Sequence, residues 1–139
     1  MYKHILLLMD CSSVDEVILD HIKQLAKVHG SSVHLFHVVH AHTLDQQRTM
    51  VEHAEACLSK ASTVLQREGI DASYSYAEGE PAEQVLKKVN SSPYELVALA
   101  THGHRTLSDV LLGSISRVLK HESDRPILLI RGDRKGETL

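Results

Sequence analysis

Residues His4–Met9 read His-Ile-Leu-Leu-Leu-Met, a continuous run of strand length that is apolar on both faces from Ile5 onward. Such a strand must be covered on both sides, so it belongs inside a parallel sheet with helices above and below. Two further runs have the same character: Glu95–Ala100 (ELVALA) and Pro126–Arg131 (PILLIR). Between these runs lie segments of helical periodicity. Strands alternating with helices imply right-handed crossovers and a parallel sheet. With 139 residues and no break in composition, one three-layer α/β/α domain is expected.

Asp10-Cys-Ser-Ser13 stops the first strand, and Ser12 or Ser13 is placed to cap the next helix. Val14, Val17, Ile18, Ile22, Leu25, Ala26 and Val28 form its apolar stripe, and His29-Gly30 ends it. Ser32–Val39 is the second strand. Thr43 or Asp45 caps a long helix running to about Arg67, with Met50, Ala54, Cys57, Leu58, Ala61, Val64 and Leu65 on one face. Ile70–Ala77 alternates, as a sheet-edge strand with one wet face does. Pro81 suits the first position of a short helix ending at Asn90. A last helix is expected from about Ser114, and the polar tail 132–139 is expected to be flexible.

The stretch Ala100–Ser116, ATHGHRTLSDVLLGSIS, joins a strand to that last helix. Glycine permits close backbone approach, and a helix N-terminus offers unpaired N–H groups and partial positive charge. Gly103, Gly113, Ser114 and Ser116 are therefore candidates for contacts to phosphate oxygens. Arg105 is a cation able to pair with phosphate as a planar fork. The plain alternative is a tight connection whose serine only caps the helix.

The same stretch resembles the motif of the universal stress protein family. That motif has a glycine, two residues, a second glycine, nine residues, then Gly-Ser or Gly-Thr. Here Ala100-Thr-His-Gly103 is followed by His104–Leu112 and Gly113-Ser114, with alanine in place of the first glycine. The resemblance continues in the strand ending at Asp10, the strand ending His37-Val38-Val39, the Gly79-Glu-Pro81 turn and the closing strand Pro126–Arg131. It implies an adenine nucleotide alpha hydrolase-like fold: an open five-stranded parallel sheet of order 3-2-1-4-5. Its crevice would lie where the order reverses.

The resemblance also implies a bound ATP or AMP, with magnesium or manganese as an optional companion of the phosphates. It assigns phosphate contacts to Gly103, Gly113, Ser114, Ser116 and the backbone of Ile115. Asp10 would accept hydrogen bonds from ribose hydroxyls. Val38 would present backbone groups to adenine, and Leu8, Met9 and Leu99 would line the pocket. Ala100 would narrow the approach of the ribose, and His102 sits inside the loop. A homodimer through the strand 126–131 is implied, together with a protein partner that the sequence does not identify. Two other readings stand beside this one: a ligand-free dimerisation module of the same family, and a slow ATP hydrolase.

No nucleophile–base–orienter set is visible. No Gly-Lys-Ser/Thr follows a glycine loop, so fast triphosphate hydrolysis is not expected. The net charge of −3 gives no basic field for nucleic acid. No apolar run approaches the roughly 20 residues of a membrane span, and no leader is evident, so a cytoplasmic protein is expected. Of the eleven histidines, His37, His40, His42, His102 and His104 could join Asp10 in a metal cluster, although no two have a zinc-motif spacing. Cys11 and Cys57 likewise show no metal or redox spacing. Cys11, beside a helix N-terminus, is a candidate for a lowered thiol pKa.

Overall fold

A computed structural model describes residues 1–101 and 107–132. The elements are β1 (His4–Leu8), α1 (Asp15–His29), β2 (Ser32–Val39), α2 (Leu44–Arg67), β3 (Asp71–Glu78), α3 (Pro81–Val89), β4 (Leu96–Thr101), α4 (Leu107–Glu122) and β5 (Ile127–Arg131). The strands form one parallel sheet of order β3-β2-β1-β4-β5, as the resemblance implies. β1 is central and buried from Ile5 to Leu8, which is what its two apolar faces require. β3, the alternating strand, lies at one edge and β5 at the other. Among the described residues no helix is long and apolar enough to cross a membrane.

The sheet divides the core in two. Ile5, Leu7 and Met9 point to one side and pack with Ile18 and Ile22 of α1 and Leu58 and Leu65 of α2. Leu6, Leu8 and Leu99 point to the other and pack with Val85 and Val89 of α3 and Ile115 and Leu119 of α4. Each fully buried leucine or isoleucine contributes about 1.5–3 kcal/mol.

Three local expectations change. α1 has no serine cap: Val14 occupies the N-cap position without a side-chain hydrogen bond. Asp15 orders the bend instead. Its buried carboxylate accepts the N–H of Asp10 at 3.0 Å and that of Cys11 at 2.6 Å, and Cys11 takes a left-handed φ of 61°. α4 begins at Leu107, not near Ser114. Leu107, Val110, Leu111, Ile115 and Leu119 repeat at helical spacing, and a helix with such a stripe tolerates an interior glycine at about 1 kcal/mol. Finally, Gly132 belongs to the folded domain: its N–H donates to the Thr101 carbonyl at 2.8 Å, and its Cα lies against Val14.

Other caps are as anticipated. Gly30 closes α1 in the left-handed conformation. Thr43 caps α2 by accepting the Gln46 N–H at 3.1 Å.

His34 of β2 lies against β3, with Nδ1 at 2.8 Å from Ser73 Oγ and Nε2 at 2.7 Å from Ser75 Oγ. Burial pushes its pKa down to about 4 from 6.5, and Lys88 adds to the effect. The charged ring is thus disfavoured in the folded state. The stability that His34 contributes is present above pH 6.5 and is lost as pH falls from there through about 4. The shift alone corresponds to about 3 kcal/mol; partial solvent screening at this half-exposed ring reduces it to about 1–2 kcal/mol. Urea unfolding at pH 7 and pH 4 should show a loss of that order, and His34→Gln should flatten it. An unchanged pH dependence in the variant would assign the loss to other groups.

Candidate functional site

The site is built where the strand order reverses, beyond the carboxyl ends of β1 and β4. Leu8, Met9 and Asp10 leave β1 there, and Leu99 and Ala100 end β4 beside them. Phe36, His37 and Val38 of β2 form the second wall. Pro81 and Val85 of α3 and Ile115 of α4 close the cleft from the helix side. Parallel strands leave such a crevice because the chain departs to opposite faces of the sheet from neighbouring strands.

The fold therefore gathers Leu8, Met9, Asp10, Val38, Leu99, Ala100 and Ile115 into one cleft. His102, Gly103 and Arg105 lie outside the described residues, as does His104. Gly113, Ser114 and Ser116 are not among its lining residues, and they lie within α4 instead of at its start. The Ser116 hydroxyl donates to the Gly113 carbonyl at 3.2 Å. Gly113 itself is exposed, does not have a positive φ, and an added Cβ would meet no atom within 4 Å. Among the described residues, nothing in the fold requires a glycine there.

Phe36, His37, Pro81 and Val85 are lining residues that motif reading missed. Phe36 and Val38 share a strand face by period two, a signal that was available in the sequence. Pro81 and Val85 reach the cleft only because α3 packs over β2.

The cleft is mostly apolar, with a carboxylate at its rim. Asp10 is half-buried and accepts the Ser12 hydroxyl at 2.5 Å. His37 Nδ1 lies 2.7 Å from the Met9 carbonyl oxygen. Only an N–H can satisfy that oxygen, so the proton is on Nδ1 and Nε2 is left as an acceptor in the neutral ring. Ala100 also belongs to the core cluster on the α1 side, with Met9 and Cys11.

His37, His40, His42 and Asp10 do not converge as metal ligands; among the described residues the one such group is Cys11, Asp15 and Cys57. The His40 Nδ1 serves the Gly79 carbonyl at 3.0 Å, and the His40 and His42 rings meet edge to face at 5.2 Å.

Cys11 is also not activated. The Cys57 side chain, burial, and the carboxylates of Asp15 and Asp10 all push its thiol pKa up. Cys57 is pulled below the usual thiol value by its hydrogen bond from Cys11. Burial pushes Asp15 up to about 6, against the lowering effect of backbone hydrogen bonds from Asp10, Cys11 and Ser12.

In open α/β sheets the crevice at the reversal point of the strand order is where ligands, when present, are held. The family model described as "Universal stress protein family" matches residues 1–131, and the chain belongs to that family. A curated relative, universal stress protein YxiE of Bacillus subtilis, is 26% identical, over 94% of this chain and 100% of its own. The solved structure of MJ0577, from Methanocaldococcus jannaschii, superposes with a TM-score of 0.79 at 24% identity, covering 94% of this chain and 96% of its own. A universal stress protein of Archaeoglobus fulgidus, solved in complex with dAMP, gives a TM-score of 0.71 at 18% identity, covering 94% of this chain and 98% of its own. At these identities the structural matches establish the fold.

Proposed function

We propose that this protein binds an adenine nucleotide, ATP or AMP, in the cleft between β1 and β4, and works as a dimeric stress-response regulator in the cytoplasm. The observation that carries the reading is the cleft itself: an apolar slot with a carboxylate at its rim, at the reversal point of the sheet. Such a slot suits a nucleobase, and a carboxylate acceptor suits ribose hydroxyls. The dAMP complex of the Archaeoglobus relative supports an adenine nucleotide as the ligand class. In this reading the phosphates run toward Gly113 and Ser114, with magnesium or manganese as their counterion where one is bound. Turnover is at most slow, because no Walker lysine accompanies the glycines.

The cleft measures about 80 Å³, below the roughly 300–1,000 Å³ of ordinary ligand pockets. A nucleoside enters it only as the neighbouring side chains part. That narrowness favours the second reading, a ligand-free dimerisation module. Titration of AMP and ATP into the unmodified protein and Asp10→Ala separates the two. Saturable binding weakened in the variant supports the nucleotide site; no heat from either protein supports the module.

The dimer is proposed through β5. The N–H groups of Leu128 and Ile130 alternate toward β4, in phase with the bonds Val97 N–H to Pro126 carbonyl and Gly132 N–H to Thr101 carbonyl. Those of Ile127 and Leu129 consequently point away from β4. Leu129 is also 44% exposed, an apolar side chain on an edge suited to pairing with a second copy. Light scattering should find a dimer, and Leu129→Pro should yield monomer because it removes an outward N–H. Leu128→Pro should instead damage the sheet. A monomeric unmodified protein at micromolar concentration would refute the pairing.

A further inference from the structure

Cys11 lies in the bend after β1, and Cys57 lies in the middle of α2. The fold brings their sulfurs together with the carboxylate of Asp15, the first residue of α1. One donor atom from each of the three lies within 4.8 Å of the others. Cys11 and Asp15 are buried and Cys57 is half-buried. The hydrogen bonds of Asp15 explain how the bend is ordered. They do not explain why two thiols from distant segments converge on the same carboxylate.

We propose that Cys11, Asp15 and Cys57 form a binding site for a soft divalent transition-metal ion of the zinc class, with His53 as the fourth donor. Thiolate sulfur with carboxylate and imidazole is a donor set that suits zinc, at about 2.3 Å for sulfur and 2.0–2.2 Å for oxygen and nitrogen. A tetrahedron with those bonds has edges of about 3.3–3.8 Å, so the cluster needs only a small contraction. His53 stands one helical turn before Cys57, on the same face of α2. Its Nε2–H donates to the Cys11 carbonyl oxygen at 2.9 Å, which holds the ring beside the cluster; as the fourth ligand it would release that bond and bind through an unprotonated nitrogen.

The supporting contacts are in place. Both Asp15 oxygens are oriented by backbone N–H groups, as outer hydrogen bonds orient metal-binding carboxylates. Binding is balanced as one divalent ion forming two metal–sulfur bonds while the two thiols release two protons to solvent. No electron transfer is involved. Because Met9 and Asp10 line the cleft and Cys11 follows them directly, an ion here would tie the cleft's β1 rim to α1 and α2.

The test uses the reduced full chain under anaerobic, chelator-free conditions, with cobalt(II) as probe and zinc as competitor. One equivalent of cobalt(II) should give a thiolate-to-cobalt charge-transfer band and visible bands of tetrahedral intensity, both erased by zinc. Cys57→Ser and Cys11→Ser should lose the charge-transfer intensity of the missing sulfur, and Asp15→Asn and His53→Ala should each weaken binding about tenfold or more. Circular dichroism of each variant confirms folding. Cys57→Ser is the decisive variant because its half-buried position tolerates the exchange. A folded, reduced protein without the charge-transfer band would overturn the proposal. So would a full band surviving in Cys57→Ser, or freshly isolated protein with Cys11 and Cys57 already joined as a disulfide.

Discussion

Gly113→Val should lower adenine-nucleotide affinity by about tenfold or more while leaving thermal melting unchanged or slightly raised. The two halves of this result come from different physics. Within α4, Gly113 has an ordinary helical backbone, and a Cβ placed there meets nothing within 4 Å. Valine is a poor helix former, yet glycine is poorer by a few tenths of a kcal/mol, on the order of 0.3. The helix therefore loses nothing by the exchange. In the proposed function, the glycine serves the ligand by letting phosphate oxygens approach the backbone, and a branched side chain occupies that space. Calorimetric titration and a melting curve on the same sample read both halves. Normal melting with unchanged affinity would remove Gly113 from the site.

Gly132→Ala should destabilise the fold by about 2–3 kcal/mol through overpacking. A Cβ on Gly132 would lie 2.2 Å from the Val14 carbonyl oxygen, 2.3 Å from its Cγ2 and 2.9 Å from its carbonyl carbon. Two of those three atoms are backbone, so no rotamer change relieves the clash. Gly132 does not have a positive φ, so room and not conformational freedom is what glycine supplies. Moving the chain away would break the bond from its N–H to Thr101, and with it the last rung between β4 and β5. A fall in melting temperature on the order of 10 °C corresponds to such a loss. Unchanged melting would show that β5 and the start of α1 can separate freely.

The sequence pattern carries the layered architecture because that architecture depends on short-range periodicity. Ile5–Met9 is apolar on both faces and becomes the central strand, while Ile70–Ala77 alternates and supplies most of an edge strand. Strand order is different in kind. Periodicity does not encode which strand neighbours which, and the order β3-β2-β1-β4-β5 was anticipated through family resemblance alone.

Glycine and serine signals proved ambiguous in α4, where Gly113-Ser114 reads equally as a helix start and as an interior step of a helix begun at Leu107. At α1 the cue was Ser12 and Ser13, yet the bend is held by Asp15, whose carboxylate reaches backward in sequence to two amides. Local propensity ranks hydroxyls and carboxylates as equal caps, and only burial separates them.

Leu8, Met9, Asp10, Val38, Leu99 and Ala100, which the family resemblance singles out at strand ends, all line one cleft; periodicity alone reads Leu8, Met9 and Leu99 as strand core. Pro81 and Val85 were not, because their place depends on how α3 crosses the sheet. The meeting of Cys11 with Cys57 was equally hidden, since no motif spacing links a bend after β1 to the middle of α2.

Isothermal titration of AMP and ATP into the reduced, nucleotide-free protein tests nucleotide binding at the cleft most directly. Saturable binding at one nucleotide per chain is expected, weakened by Asp10→Ala at the cleft rim and by Gly113→Val in α4. Absence of measurable binding at millimolar nucleotide, with or without magnesium or manganese, from a protein that melts cooperatively would contradict it.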